Sequence, residues 1–225
     1  MAESLAFYQI YYQDDQKAEL YDFATPYFNS GLTPYFENYI IADLVPRLRA
    51  DMIGIASWRL KRKRGDCQIG LKNDLTLSAE KILGAEADVC ILTPRSPIHK
   101  PLLAAQNWHG QAWVNAFGVF KPFLNSLGIK VPGELRYSIY ENHFVAKQEI
   151  YHEYVENVLK PSIRFMEDDE IFLSPSGYIK LKHKSTDSQR VTSMLGLEDW
   201  PIGVFILERL FSIFINDKNL IVKPV

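Results

Sequence analysis

Cysteine is scarce in this chain: there are two, Cys67 and Cys90, among 225 residues. Two thiols build no disulfide framework, and the reading is a reducing compartment. An excess of charge of one sign is missing too. Lys and Arg number 25 against 27 Asp and Glu, for a formal net charge of −2, which argues against a general nucleic-acid binder. Long apolar runs are absent. The most apolar late stretch, WPIGVFILERLFSIFI at 200–215, is broken by Glu208-Arg209 and falls short of the ~20 residues a membrane helix needs. The start, MAESLAFYQIYYQDDQ, has acidic Glu3 and no basic residues before an apolar run, so no secretory signal is read. These absences predict a soluble, cytoplasmic protein with no transmembrane segment and no nucleic-acid partner; peripheral membrane association stays open. Four short motifs are also missing: the Gly-x-x-x-x-Gly-Lys-[Ser/Thr] phosphate loop, the Gly-x-Ser-x-Gly elbow, His-Glu-x-x-His and Cys-x-x-Cys.

What is present is apolar and aromatic material, 47% and 13% of the residues, enough for one substantial core. AFYQIYYQ at 6–13 reads as a first strand, and Asp14-Asp15 as the cap of a short helix. TPYFNSGLTP at 25–34 reads as loop, on the punctuation of Pro26, Gly31 and Pro34. Thr33-Pro34 reads as an N-cap with proline at the first helical position, before a helix carrying Ile40, Ile41, Leu44, Val45 and Leu48 that Pro46 ends or kinks. ADMIGIASWRL is a buried strand, LSAEKILG at 77–84 a short helix capped by Ser78 and stopped by Gly84, and DVCILT at 88–93 a second buried strand. Residues 108–128 are mostly helical, with interruptions predicted at Gly118 and Pro122. Residues 135–146 read as a strand or strand-turn. The clearest helix is 147–169, with a stripe of Ile150, Tyr151, Tyr154, Val155, Val158 and Leu159 and a kink at Pro161. Residues 174–199 read as a mobile loop, followed by a helix near 201–215 and an apolar tail. Strands alternating with helices predict an α/β fold, a mainly parallel sheet flanked by helices. We read residues 1–225 as a single domain whose half beyond about 95 is more helical.

The strand at 52–60 raises a question of charge. Its odd positions turn from Ile53 and Ile55 to Ser57, Arg59 and Lys61, and five of the six residues 59–64 are basic. A strand that loses its second apolar face is emerging from under a covering layer, and ligands of open α/β sheets sit beyond strand carboxyl ends. The run is then either a solvated hairpin tip, the favoured reading for Arg62 and Arg64, or an anion-facing strand end, the favoured reading for Arg59 and Lys61.

Three stretches together resemble a family. ADMIGIASWRLKRK is similar to its D-[YI]-[IV]-G-…-R strand. YENHFVAKQEIYHEYVENVLKPSIRFMED resembles its N-x-F-[IV]-x-[KR]-x-x-[FY]-x-x-Y block through Asn142, Phe144, Val145 and Lys147, and through Tyr151 and Tyr154, which stand one residue later than the pattern places them. IGVFILERLFSIFI resembles its closing G-x-[LF]-x-E-R-L helix through Gly203 and Phe205, and through Glu208, Arg209 and Leu210, which stand one residue later than the pattern places them. The family is the glycosyltransferase-like proteins of bacterial capsular and exopolysaccharide clusters. The resemblance implies a nucleotide-diphospho-sugar transferase fold of the GT-A type, a nucleotide-sugar donor and a glycan or lipid-linked acceptor. Such folds often hold a divalent cation, Mn or Mg, through an Asp-x-Asp, and none occurs here. That cofactor stays open, no metal ligand is assigned, and the second reading is a non-catalytic glycan-binding or scaffold relative.

The candidate site residues follow. Arg59 and Lys61, with Ser57 on the same strand face, would meet a diphosphate, because Arg forks match phosphate oxygens and Lys adds point charge. Tyr11 and Gln13, at the end of the first strand, would receive the base, with core packing an equal alternative for Tyr11. His109 would deprotonate an acceptor hydroxyl and Trp108 would stack on a sugar; a capping or surface histidine is the plainer alternative. Asn142 is either core glue or a sugar-hydroxyl contact. Glu208 is either a catalytic base or half of a structural pair with Arg209.

Overall fold

The computed structural model describes residues 4–29, 37–65, 76–93, 101–137, 139, 141–173, 178–179 and 200–225. The predicted cap at Thr33-Pro34, Cys67 and nearly all of the predicted loop 174–199 lie outside the described residues, as does the side chain of Trp108.

Strands β1 (Leu5–Tyr11), β2 (Thr25–Phe28), β3 (Met52–Ser57), β4 (Val89–Ile91), β5 (Phe144–Lys147) and β8 (Val222–Pro224) form one sheet in the order β2-β1-β3-β5-β4-β8. Strand β1 is parallel to β2 and β3, and β4 is parallel to β8. Among the described strands of this sheet, β5 runs against its neighbours. The chain is thus α/β, with a mixed, mostly parallel sheet flanked by helices. Two short strands, β6 (Tyr178–Ile179) and β7 (Trp200–Pro201), pair separately.

Alternation along each strand divides the core in two. Ile53 and Ile55 of β3, Val89 and Ile91 of β4, and Phe144 and Ala146 of β5 share one face. Helices α1 (Glu37–Leu44), α4 (Pro101–Ser126), α5 (Gln148–Tyr154), α6 (Lys160–Asp168) and α8 (Ile202–Asn216) pack over that face; the four-residue α7 (Glu170–Leu173) adds Phe172. Met52, Ala56, Cys90 and Val145 point the other way, under Leu60 of α2 (Leu60–Gly65) and Ile82 of α3 (Ala79–Leu83). On the first face Phe211 stacks on Phe144 at 3.6 Å between centroids and meets Tyr154 edge-on at 5.0 Å. Gly54 is required by the second face. A Cβ there would lie 2.6 Å from Phe7 Cδ2 and 2.7 Å from Val145 Cγ2, so Gly54→Ala is expected to cost about 1–3 kcal/mol by overpacking. Urea unfolding checks this, and an unchanged midpoint refutes it.

Several elements match the sequence reading. Ser78 caps α3 by accepting from the Lys81 N–H, and Gly84 ends it. The apolar tail becomes the edge strand β8. The long helix at 147–169 is present, but its middle, Val155–Leu159, is a π turn. Pro161 has no N–H to give and its ring excludes the carbonyl of Asn157; a wider turn just before it accommodates both.

Three expectations are corrected. Residues 25–28 form β2 rather than loop; β2 is an edge strand, where proline is tolerated. The helix at 101–126 breaks at Gly110, whose φ of 58° and ψ of −136° leave helical space, and not at Gly118. Strand β3 stops at Ser57, and the basic run turns into helix α2. Lys and Arg are good helix formers and poor strand residues, and Leu60 and Arg64, four apart, are both fully buried.

Candidate functional site

From β1 the chain passes to β2 on one side and then to β3 on the other, which makes the carboxyl ends of β1 and β3 a topological switch point. A cavity of about 100 Å³ opens there. Tyr12 enters it just past β1, Ser57 and Arg59 from the end of β3, Glu37 and Asn38 from the start of α1, and Trp200 and Glu208 from β7 and α8. Glu141 and Asn142 complete it from the turn before β5. Both are left-handed, at φ 57° and 56°, a conformation that is costly without glycine. Neighbours hold that turn: Lys63 Nζ pairs with Glu141 Oε1 at 2.8 Å, Asn142 Nδ2 donates to Asn38 Oδ1 at 3.3 Å, and His143 Nε2 meets Ser57 Oγ at 3.0 Å.

Three carboxyl groups share this space, and their environments push them apart. Burial opposes ionisation of Glu141, but the charges of His143, Lys63 and Arg59 outweigh it and hold its carboxyl down to about 2. Burial raises Glu37, and the Glu141 charge adds to the rise against Tyr12 and Arg59. Burial raises Glu208 to about 7, with Glu141 and Glu37 adding to the rise and Arg209 and Lys63 opposing it. Glu208 therefore exchanges its proton near neutral pH, the condition for a general base. The Tyr12 hydroxyl lies beside Glu37 and Asn29. Among the described residues no group of three or more His, Cys, Asp or Glu is arranged to hold a metal ion.

A larger hollow of about 750 Å³ lies at the other end of β3, beside Asp51 and Lys147. Two of its charges are engaged: Asp51 accepts from Ser4, and Lys147 pairs with Asp88 at 2.7 Å. It also sits at strand amino ends, away from where α/β sheets bind ligands.

Of the residues singled out in the sequence, Ser57, Arg59, Asn142 and Glu208 line the cavity. Four others do not. The Tyr11 ring packs on Phe28 at 5.3 Å and under Lys17. Gln13 opens the 3-10 turn Asp14–Glu19. Lys61 lies 5.3 Å over the Tyr21 ring, because helix α2 has rotated it away from the face of Ser57. His109 packs on Phe205 at 4.2 Å, and burial with the nearby Arg209 charge pushes it down to about 4, which leaves it neutral and a weak base. The side chain of Trp108 lies outside the described residues. The basic run is largely spent within the protein: besides Lys61 on Tyr21, Arg62 stacks on Trp58 and Lys63 pairs with Glu141. Arg64, expected in solvent, is fully buried and donates to the carbonyls of Leu92 and Val225. Arg209 is buried and Glu208 is 22% exposed.

Sequence reasoning missed Tyr12, Glu37, Glu141 and Trp200. A Glu-Asn pair directly before an apolar strand was a weak signal for a left-handed turn; the others had none.

Fold and site define a class: an α/β protein with a small, charged cavity at the carboxyl ends of two parallel strands. No protein-family model, no curated protein and no solved structure matches the chain.

Proposed function

We propose that the protein is a glycosyltransferase, moving a sugar from a nucleotide-diphospho-sugar to a surface-polysaccharide or lipid-linked acceptor. One observation carries this reading. Arg59, Asn142 and Glu208 come from three stretches far apart in sequence, each similar to a block of the same family, and all three line one cavity. Glu208 takes the proton of the acceptor hydroxyl, since its carboxyl titrates near 7. Arg59 offsets the charge that gathers on the departing diphosphate. Asn142 bonds a sugar hydroxyl, and the Tyr12 and Trp200 rings supply apolar faces for the sugar. A cavity of about 100 Å³ takes the reacting edge of the sugar, and the nucleotide lies outside it.

Calorimetric titration of nucleotide diphosphates and their sugar derivatives, with and without manganese, tests the reading. One of the panel is expected to bind, and Arg59→Ala to weaken it about 10- to 100-fold, the equivalent of one charge-assisted hydrogen bond. Binding by none of them, in either condition, overturns it. Binding without any transfer or hydrolysis of the donor would instead mark a relative that keeps the fold without turnover.

A further inference from the structure

Ser57 and His143 form a pair that sugar transfer does not use. The Ser57 hydroxyl and His143 Nε2 are 3.0 Å apart, and both residues are buried, at 8% and 1% exposure. Ser57 nonetheless lines the cavity. Both backbones are pinned: Gln9 Nε2 donates to the Ser57 carbonyl at 3.3 Å, and the Leu92 N–H donates to the His143 carbonyl at 3.0 Å. The Glu141 carboxylate is in electrostatic contact with His143. A hydroxyl within hydrogen-bond reach of an imidazole, with a carboxylate to steady the imidazolium, is the arrangement that activates a serine nucleophile. With the ring proton on Nδ1, Nε2 accepts from the hydroxyl. The cavity's size names the substrate class: about 100 Å³ is well under the roughly 300 Å³ at which pockets for drug-sized ligands begin, so it takes a short acyl group.

We infer that Ser57 and His143 make this cavity a site for hydrolysis of short-chain carboxylic esters. Ser57 Oγ attacks the ester carbonyl carbon while Nε2 takes the hydroxyl proton. Arg59, on the same cavity wall, faces the oxyanion. The ester C–O bond breaks, its electron pair leaves with the alcohol oxygen, and that oxygen receives the proton from Nε2. Water then attacks the acyl-serine and gives its proton to Nε2. The carboxylic acid leaves as Ser57 Oγ takes the proton back. This activity stands apart from sugar transfer, and its test uses no nucleotide.

The full-length protein is treated with a short-alkyl fluorophosphonate, in which Oγ displaces fluoride from phosphorus, and the adduct is located by peptide mass spectrometry. Stoichiometric labelling at Ser57 is expected. Ser57→Ala takes no label, and His143→Gln labels at least 100-fold more slowly. Among p-nitrophenyl esters, acetate turns over at least 10-fold faster than octanoate. Replacing a buried histidine can itself unfold the chain, so the wild-type arm decides. Folded wild-type protein that takes no label at Ser57 overturns the inference, as does equal labelling of a folded His143→Gln variant. Equal turnover of acetate and octanoate overturns the short-chain assignment.

Discussion

Glu208→Gln is expected to lower the proposed sugar transfer by about 10²- to 10⁴-fold, the range for loss of a general base, and at the same time to stabilise the protein at pH 8. Both effects share one origin. Burial, with the neighbouring Glu141 and Glu37, raises the Glu208 carboxyl from 4.5 to about 7, so the folded state holds this proton more tightly than the unfolded chain does. Its contribution to stability is then fully present below about 4.5 and is lost as pH rises through about 7. The rise corresponds to about 3 kcal/mol at full ionisation. Glutamine removes the charge and keeps the shape, so the variant is expected to match the wild type near pH 4 and to exceed it by about 2–3 kcal/mol at pH 8. Glu141 has the opposite sign: its lowered carboxyl stabilises the fold above about 4.5, and that contribution goes as pH falls through about 2. Urea unfolding at a series of pH values, alongside the rate of transfer, reads both effects of Glu208→Gln. Equal stability at pH 4 and pH 8 relative to wild type would remove the electrostatic account, and undiminished transfer would remove Glu208 as the base.

Arg64→Ala is expected to destabilise the protein by about 3 kcal/mol without abolishing the cavity chemistry directly. Arg64 Nη1 donates to the Leu92 carbonyl at 2.7 Å and to the Val225 carbonyl at 2.5 Å, tying helix α2 to residues just beyond β4 and β8. Hydrogen bonds from a charged group contribute about 1.5–3 kcal/mol each, offset in part by stripping water from the guanidinium. Truncation also leaves a void. Arg64→Met fills most of that void without the charge, so it is expected to lose clearly less than Arg64→Ala. A loss below about 1 kcal/mol for Arg64→Ala in urea unfolding would mean the guanidinium contributes little more than its desolvation costs.

Arg64 also shows where sequence reading stops. Its neighbours Lys61, Arg62 and Lys63 have the same character, and periodicity alone does not say that one of the four turns inward. Ser57, Arg59, Asn142 and Glu208, which line the cavity, were legible as candidates because polar groups interrupt or adjoin apolar runs there. Glu37, Tyr12 and Trp200 were not, because nothing in their own surroundings marks them, and Glu141 had only the weak signal of its Glu-Asn pair. Tyr11, Gln13, Lys61 and His109 had attractive local settings and lie off the cavity, engaged with neighbours that the linear order does not reveal.

The alternation of strands and helices, the Ser78 and Gly84 caps, the long helix at 147–169 and the final apolar helix were determined by the sequence itself, since each depends on residues within a turn or two of one another. The convergence of three glutamates, the inward turn of Arg64 and the Ser57–His143 pair were decided only by the tertiary structure. Burial and Coulomb coupling depend on distance through space, and those distances exist only once β5 has inserted between β3 and β4 and α8 has closed over them.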